Sequence, residues 1–400
     1  MRTVVQKYGG TSLGDTNRIK DIARKICDKR NQGTRMVVVV SAMGKTTDSL
    51  IKLANDLSLA PRDYEMDLLM AAGEQISAAL VAIALSEIGC EAIGLTGPQA
   101  GIYTTDKHTK ARIEDINIGY IEKNLNDNKV VVVAGFQGVA KDGSITTLGR
   151  GGSDTTAVAI AAKLGAECEI FTDVDGIYTT DPRMFPEAQK LQHISYEEML
   201  EMASLGAGVM HSRSIELAQK YRIPIYVGSS SDVVGGTIIK EQDETMEERA
   251  VTGLSLSDED LMITIGRFPY NPKLISSLFL ELADQEINVD MISQTAPQNN
   301  NISISFTAPV SEHKNIINIV NKYKEHYQLD IDIDMDITKV SVVGIGMRSQ
   351  SGVAASIFKI FAENDIQYKQ VTTSEIRITF TIDRKDKEKA VKLIATGFNL

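Results

Sequence analysis

Residues 3–15 read TVVQKYGGTSLGD and place a lysine and two glycines directly after a short apolar run. An apolar run of this kind is typical of a buried strand, and glycines after it let backbone amides approach a ligand closely. Lys7 adds a positive charge beside those amides. The pattern suits a binding loop for an anion, although a tight turn alone also accounts for Gly9 and Gly10. This segment by itself leaves both interpretations open.

The first 240 residues alternate β-rich apolar runs with helical patterns. Continuous apolar strands separated by helices favour a largely parallel sheet with helices on both faces, an α/β fold. Ligands in such sheets bind at the carboxyl ends of strands, where the loop after residue 8 would lie. The predicted strands are 37–40, 92–95, 130–134, 169–172 and 225–227, and the predicted helices include 19–29, 64–88 and 155–164.

Composition narrows the function classes. The chain has 400 residues, of which 43% are hydrophobic and 24% charged, so a globular protein with two or three domains is expected. A formal net charge of −11 argues against nucleic acid or an anionic membrane surface as a partner. Cys27, Cys90 and Cys168 form no disulfide framework, which fits a reducing compartment. With no leader pattern and no apolar run of bilayer length, we expect a cytoplasmic protein.

The carboxyl-terminal part contains an internal repeat. Residues 277–287 match 356–366 at a constant offset of 79, with four identities. A strand precedes each copy (262–265 and 340–343) and two further strands follow, so two α+β modules of one type are expected. The charged segment 240–249, KEQDETMEER, marks the boundary before them. The predicted bounds are 1–240 for the first domain, 241–255 for a linker, 256–335 for the first module and 336–384 for the second.

A second candidate loop is LGRGGSDTT, residues 148–156, directly before a predicted helix. It combines free backbone amides, a guanidinium suited to a carboxylate, and a helix N-terminus that favours anions. Ser153 or Asp154 acting as a helix N-cap is the alternative. A cap explains neither Arg150 nor the glycines, so this loop is predicted to bind an anionic substrate.

A third segment, FTDVDGIYTTDPR at 171–183, leaves a predicted strand with polar and cationic side chains. These residue types suit a base, a ribose and a phosphate, although a polar surface loop would look the same. The Walker-like MGKT at 43–46 lacks the first glycine, having Val39 there, and VVGIG at 342–346 has Ser349 in place of the third glycine of a dinucleotide motif. No two of the five histidines lie at metal-ligand spacing, so chemistry without a histidine base is expected.

Taken together, these segments resemble the aspartate kinases of the amino acid kinase family. The matching stretches are KYGGTS, VVVSAMGKTTD, LLMAAGEQISAAL, GFQG, TTLGRGGSDTTA and FTDVDGIYTTDPR, and the resemblance spans nearly the whole chain. It implies an amino acid kinase fold followed by two α+β ACT modules, in a monofunctional enzyme. The implied reaction transfers the γ-phosphoryl group of ATP to the β-carboxylate of L-aspartate, the first step toward lysine, threonine and methionine. That carboxylate is already ionised at pH 7 and needs no general base.

The resemblance also implies roles for individual residues. Lys7 would contact the transferred phosphoryl group, and Asp154 would position Lys7 or the metal-bound phosphate. Glu74 would hold the α-ammonium of aspartate and Arg150 a carboxylate. The implied substrate-binding set is Thr47, Glu74, Phe136, Arg150, Gly151, Gly152 and Ser153, and the nucleotide- and phosphate-binding set is Gly9, Gly10, Thr11, Ser12, Ser41, Thr172, Asp173, Tyr178 and Arg183. Mg²⁺ is expected to accompany ATP with few protein ligands, without a dedicated metal site.

One position departs from the family pattern. Many relatives carry lysine where this chain has Gly208, which puts one nucleotide-phosphate contact in doubt. Arg213 or a main-chain amide is expected to compensate.

ACT modules in this family bind end-product amino acids, so feedback inhibition is implied, with lysine favoured over threonine. The expected effector residues are Asn288, Val289, Asp290, Met291 and Ser293, with Asp290 facing the effector ammonium. A plain helix-to-strand turn is the alternative. The second copy reads IQYKQV at 366–371, so its equivalent site is expected to be altered or lost. The family further implies that 385–400 completes the first module and that the ACT modules form a homodimer or homotetramer.

Two other functions stay open at this level. A related kinase acting on glutamate or carbamate would share the fold, although Glu74 and Arg150 favour an amino acid and the ACT pair favours aspartate. A catalytically silent amino acid sensor is the other candidate. The presence of Lys7 and Asp154 speaks against it.

Overall fold

The computed structural model describes residues 2–204, 208–231, 235–242 and 249–400. These residues form two compact units, the first comprising 2–178, 190–204, 208–231 and 235–242 and the second 179–189 and 249–400. Most of the predicted boundary segment, 243–248, lies outside the described residues. Segment 179–189 was expected in the first domain but packs with the second unit, where Phe185 joins a core cluster with Val340 and Phe380.

The first unit alternates strands and helices, as the apolar runs predicted. Its strands are β1 (Thr3–Tyr8), β2 (Arg35–Val40), β3 (Ala92–Leu95), β4 (Ile102–Thr104), β5 (Ile113–Ile116), β6 (Val130–Ala134), β7 (Gln137–Val139), β8 (Ile145–Thr147), β9 (Glu167–Thr172), β10 (His193–Ser195), β11 (Ile225–Ser229) and β12 (Thr237–Lys240). Its helices are α1 (Thr16–Asn31), α2 (Thr46–Leu57), α3 (Asp63–Glu87), α4 (Gly119–Asn126), α5 (Gly152–Leu164), α6 (Tyr196–Ser204) and α7 (Ser212–Tyr221).

An eight-stranded sheet organises this unit in the order β10-β12-β11-β9-β1-β2-β6-β3. All its pairs are parallel except β11 with β12. The expectation of a largely parallel sheet is confirmed. A smaller sheet, β5-β4-β7-β8, was not predicted, because its strands have only three or four residues.

The central strands are buried on both faces, and their alternate residues face different helices. Val4 and Val38 pack with Ile22 of α1 and Val81 of α3 in one core cluster. Helix α5 contacts β1, β2 and β9, and its residues 152–161 are all buried. The sheet edge that carries the binding loops is therefore held by packed helices.

Helix α3 is long and apolar enough to cross a bilayer, judged by length and composition alone, and no other helix in the described part of the chain is. The expectation that no apolar run reaches that length is wrong for this helix. One face of α3 is buried and includes Asp67 and Glu74, so it serves as a core helix in this unit. Its other face exposes Leu68, Ile76 and Ile83.

The second unit contains two four-stranded sheets. The first sheet, in the order β15-β16-β14-β17, is built from β14 (Asp260–Pro269), β15 (Asp290–Gln294), β16 (Asn301–Pro309) and β17 (Asp330–Asp334), with helices α8 (Pro272–Asp284) and α9 (His313–Tyr327). The second sheet, β13-β18-β20-β19, is built from β13 (Gly253–Ser257), β18 (Ile337–Val343), β19 (Tyr368–Thr373) and β20 (Arg377–Asp383), with α10 (Val353–Glu363) and α11 (Lys387–Phe398). Helices α8 and α10 contain most of the residues of the first and second copies of the sequence repeat.

The modules interleave in the opposite sense to the one expected. Strand β13 precedes the first module in sequence but pairs antiparallel with β18 of the second. Helix α11 also belongs to the second module, because Val391 and Ile394 pack with Val340 and Val342. The expectation that 385–400 completes the first module is therefore wrong. The first module is inserted in the second, and its own sheet is closed by β17.

Candidate active site

The predicted binding residues follow the carboxyl ends of four parallel strands. Lys7 lies near the end of β1, Ser41 follows β2, Phe136 follows β6 and Thr172 ends β9. These strands are consecutive neighbours in the sheet, so their ends share one edge. Backbone bonds tie the loops together there, from Gly9 N to Phe171 O at 3.1 Å and from Ser41 N to Tyr8 O at 3.1 Å.

Lys7 and Asp154 form an ion pair across this edge. Lys7 Nζ lies 2.7 Å from Asp154 Oδ1, and both side chains are only about a tenth exposed, 10% and 11%. Asp154 comes from the first turn of α5, so the pair joins the end of β1 to a helix N-terminus. The contact is a close ion pair and not an aligned hydrogen bond. The lysine ammonium therefore keeps donors available for a ligand.

The loop after β1 passes very close to the loop after β2. Gly44 N donates to Gly10 O at 2.9 Å, and a Cβ on Gly10 would lie 2.6 Å from Ala42 O. Only glycine fits at position 10 without moving that carbonyl. Ser12 is buried nearby and accepts a 2.9 Å hydrogen bond from Ser230. These contacts bring the backbones of the two loops together after β1, and the anion-binding role of this segment stays a prediction.

Glu74 reaches the same loop from α3. Its Oε1 accepts the backbone N–H of Ala42 at 3.1 Å, while Oε2 is buried and has no hydrogen-bond partner within the described part of the chain. Burial raises the pKa of Glu74 to about 7, despite the lowering effect of the Ala42 bond. A buried carboxylate with one unpaired oxygen is a fitting partner for a ligand cation.

His211 packs closely against the loop that contains Arg150. Gly151 has φ 71°, and a Cβ there would lie 2.2 Å from His211 Cβ, so this close approach requires glycine. Arg150 itself is exposed and forms no hydrogen bond or ion pair with the described residues. Burial and the charges of Arg150 and Arg213 lower the pKa of His211, whereas the charge of the Asp154 carboxylate partly opposes this shift. His211 is therefore close to both the Arg150 loop and the Lys7–Asp154 pair.

The segment after β6 packs against the start of α5 through Phe136, Gly152 and Ser153. Phe136 adopts φ 69° and donates its backbone N–H to Thr156 Oγ1 at 3.2 Å. Its ring borders Gly152, and Ser153 borders Gly135 at the end of β6. Thr47 lies in the first turn of α2.

The third predicted segment divides between the two units. Thr172 Oγ1 donates to Asp173 at 3.0 Å, and the Tyr178 hydroxyl donates to Asp175 at 3.1 Å. Asp175, which the sequence did not single out, also pairs with Lys190 at 3.0 Å. Arg183 lies in segment 179–189 of the second unit and forms an ion pair with Asp181 at 2.6 Å.

Comparison with known proteins identifies the family of this chain. The amino acid kinase family matches residues 2–229, and an ACT domain matches 340–398. The aspartokinase of Bacillus sp. (strain MGA3) is 46% identical over 403 residues, covering 100% of this chain and 98% of that relative. The chain belongs to the aspartokinase family.

Two solved structures share the fold of this aspartokinase family member. Escherichia coli aspartokinase III in complex with aspartate and ADP (R-state) has a TM-score of 0.85 at 24% identity, with 100% of both chains covered. The same E. coli enzyme in complex with lysine and aspartate (T-state) has a TM-score of 0.76 at 24% identity, with 99% of both chains covered. The predicted fold, an amino acid kinase domain followed by ACT modules, is thereby confirmed.

Gly208, which stands where many relatives carry lysine, is exposed. A Cβ on Gly208 would meet no atom within 4 Å, so the position has room for a side chain. Arg213, which with a main-chain amide was expected to compensate for the missing lysine, uses part of its guanidinium for internal hydrogen bonds, and its contact with a phosphate stays a prediction. Nη1 donates to Leu148 O and Nη2 to Ala111 O, both at 2.9 Å. Arg213 thus supports the Arg150 loop, a role that sequence reasoning missed.

The predicted effector residues lie where the two modules of the second unit contact each other. Asp290 Oδ2 lies 3.1 Å from Lys339 Nζ, and the same ammonium lies 3.2 Å from Asp260. Burial works against ionisation, but the Lys339 charge keeps the pKa of Asp290 below its usual value. Asn288 is exposed, and Val289 packs against the core of the first module. The Asp290 carboxylate already has an internal cation.

The corresponding strand of the second module contacts the effector loop directly. Gln370 Nε2 donates to Met291 O and, at 2.9 Å, to Ser293 Oγ. Lys369 stands 79 residues after Asp290, the offset of the sequence repeat, and pairs with Asp383 at 2.6 Å and with Asp334. The charge at this position is therefore reversed between the modules, in line with the predicted alteration of the second copy.

Proposed function

We propose that this protein transfers the γ-phosphoryl group of ATP to the β-carboxylate of L-aspartate, with Lys7, Asp154, Glu74 and Arg150 as the central residues. One observation carries the residue roles. The buried Lys7 ammonium on β1 adjoins the loops at one edge of the parallel sheet, and so does the buried Glu74 Oε2, which has no hydrogen-bond partner among the described residues. Such a site complements a ligand that brings a negative and a positive group together.

Aspartate has the charges that this region leaves uncompensated. Its α-ammonium would meet Glu74, whose Oε2 has no partner in the described part of the chain. A carboxylate would meet the exposed guanidinium of Arg150, which binds such groups through two parallel hydrogen bonds. The β-carboxylate is then directed toward the cationic end of β1.

Lys7 would compensate charge on the moving phosphoryl group, aided by the amides of Gly9 and Gly10. No residue is needed to deprotonate the nucleophile, because a carboxylate is ionised at neutral pH. Catalysis then consists of aligning two anions and stabilising the charge between them. Asp154 holds the Lys7 ammonium through the 2.7 Å ion pair.

ATP is proposed to lie along the ends of β1 and β9, with the phosphates near Gly10, Thr11, Ser12 and Ser41 and the nucleoside near Thr172, Asp173 and Tyr178. Mg²⁺ is proposed to enter with ATP, since it ordinarily keeps waters and phosphate oxygens as ligands. Ser153 and Thr47 are proposed to border the substrate.

The ACT modules are proposed to bind an end-product amino acid, with lysine favoured, at the loop 288–293. The T-state complex of E. coli aspartokinase III with lysine supports this choice. Binding shifts activity only if the effector prefers one conformational state. Assembly through the modules as a homodimer or homotetramer is part of the proposal. So is a cytoplasmic location, which the three buried free cysteines support.

The test is formation of aspartyl hydroxamate from ATP, aspartate and hydroxylamine. Glutamate and a reaction without amino acid serve as controls. Turnover with aspartate alone is expected. Turnover with glutamate in its place would favour the related kinase, and ligand binding without turnover would favour a sensor.

A further inference from the structure

The Asp67 carboxylate is completely buried and gathers donors from two other segments. Its side chain is 0% exposed and lies one turn into α3. His108 Nδ1 lies 2.7 Å from Oδ2, and the tautomer with its proton on Nδ1 donates to this carboxylate. The backbone N–H of Thr109 donates to Oδ1 at 3.0 Å, and the Thr147 hydroxyl donates to the same oxygen. None of these residues was assigned a role by the sequence.

The elements joined by this carboxylate carry the two proposed aspartate-binding residues. Glu74 follows Asp67 by seven residues, which is about two helical turns, so both project from the same face of α3. Arg150 follows Thr147 by three residues, directly after β8. One buried anion therefore connects the segment that holds the ammonium-binding group with the segment that holds the carboxylate-binding group.

Other contacts make the connection stiff. Ala111 N donates to Thr147 O at 2.9 Å, which ties the 108–111 segment to β8 independently of Asp67. Arg213 spans the same two segments through Ala111 O and Leu148 O. The His108 ring also packs edge-on against Tyr64 of α3, with ring centroids 5.2 Å apart. A shift of the His108 segment relative to α3 would therefore move the strand that precedes Arg150.

We propose that Asp67 and His108 are positioning residues for L-aspartate: the buried pair sets the spacing between Glu74 and Arg150. The inference rests on the proposed roles of those two residues. Neither Asp67 nor His108 touches the substrate in this scheme. A misplacement of about 1 Å at a binding group is enough to lower productive binding substantially.

The test variant is His108→Ala, because the His108 side chain is 20% exposed and its loss opens no sealed cavity. Asp67 would keep its bonds from Thr109 and Thr147. We expect the KM for aspartate to rise about tenfold, with kcat and the KM for ATP within about twofold of the parent. His108→Asn, which restores a donor near the Nδ1 position, is expected to recover most of the aspartate affinity. His193→Ala, an exposed histidine on β10, is the matched control and is expected to change nothing.

Thr147→Val provides a second variant should His108→Ala fold poorly, since it removes one donor to Asp67 while keeping the side-chain shape. The inference is overturned if these variants lower thermal stability while the KM for aspartate stays unchanged, or if they raise both KM values equally. Glu74→Gln and Arg150→Ala are measured in parallel. If those two raise the KM for aspartate and the His108 and Thr147 variants do not, the positioning role is wrong and the proposed function stands. If Glu74→Gln and Arg150→Ala leave it unchanged, their assigned roles are wrong.

Discussion

Each compact unit contains a carboxylate that is proposed to bind the ammonium group of an amino acid, and the surroundings of the two carboxylates differ. In the first unit, Glu74 is buried, one of its oxygens has no hydrogen-bond partner within the part of the chain that the structure describes, and burial raises its pKa to about 7. In the second, Asp290 lies 3.1 Å from the Lys339 ammonium, which holds its pKa below the usual value. In the proposed catalytic site the ligand has to supply the cation that pairs with the carboxylate, whereas in the proposed effector site Lys339 already supplies it.

This difference has an energetic consequence. A buried charge without a partner is costly, so the ligand that supplies the opposite charge gains the full benefit of pairing. At Asp290 an effector ammonium has to share the carboxylate with Lys339 or displace it. We therefore expect electrostatic changes to act more strongly in the first unit than in the second.

The largest effect is expected from Lys7→Ala. Removing the ammonium at the phosphoryl position should lower kcat by about two to three orders of magnitude, as for other preorganised charges at a transition state. Hydroxamate formation measures the loss. Lys20→Ala, an exposed lysine on α1, is the matched control.

Lys7→Ala also leaves Asp154 without its partner, so stability has to be separated from catalysis. The double variant Lys7→Ala/Asp154→Ala removes both charges and should recover thermal stability without recovering turnover. Effector binding should persist in the single variant. Residual activity within about tenfold of the parent would remove Lys7 from the phosphoryl site.

Glu74→Gln should have the next largest effect, raising the KM for aspartate by about one to two orders of magnitude because a charged pair becomes a neutral contact. The parent enzyme should also show a pH-dependent KM. With its pKa raised to about 7, Glu74 is largely protonated below that pH, so the KM for aspartate should fall as pH rises toward 7 and level off above it. The variant should lose this dependence, and Glu87→Gln at the exposed end of the same helix should retain it. A pH-independent KM in the parent would contradict the assignment.

Glu74 also leads to a prediction for stability: a rise in pH that improves aspartate binding should destabilise the folded protein. A carboxyl whose pKa is raised on folding binds its proton more tightly in the native state, so its contribution becomes unfavourable as pH rises from about 4.5 to about 7. Glu74→Gln should therefore be more stable than the parent at pH 8 and lose that advantage at pH 4. Thermal unfolding at the two pH values measures the difference. An equal difference at both values would show that burial does not raise this pKa.

Asp290→Ala should act more weakly and only on regulation. Lys339 keeps Asp260 at 3.2 Å, so no buried cation is left unpaired. We expect the lysine concentration for half-inhibition to rise about tenfold with kcat unchanged, the usual scale of a coupling between sites. Asp332→Ala on β17 is the matched exposed control. Unchanged inhibition would exclude Asp290 from the effector site.

The smallest effect is expected from Gly208→Lys, which restores the family residue. The position has no positive φ, and its Cβ would meet no neighbour, so lysine fits without strain. The KM for ATP should fall about threefold and become more sensitive to salt, because the added charge is solvent-screened. Gln32→Lys adds the same charge at the other edge of the sheet and should leave it unchanged. No response to Gly208→Lys would mean that the nucleotide does not approach this position.

Much of the fold followed from local pattern. Strands 92–95 and 130–134 were predicted with the same bounds as β3 and β6, because each is a short continuous apolar run, although only β6 is buried along its whole length. The short strands β4, β7 and β10 were not predicted, since three residues carry too little periodicity to separate a strand from a turn. Helix α11 was predicted to pack on the wrong module. Its amphipathic pattern requires a buried face but does not say which sheet provides it.

The amino-acid sequence by itself determined which groups end the strands. Lysine and glycine at residues 7–10 follow an apolar run, and arginine and glycine at residues 150–152 precede a helix. The chemistry of anion binding belongs to those residue types wherever they are placed. Tertiary structure alone decided the pairings. Asp67 meets His108 across 41 residues and Asp290 meets Lys339 across 49, and contacts over such separations depend on how the elements pack. Local sequence therefore states which charges are present, and only the packed fold determines which of them are left for a ligand.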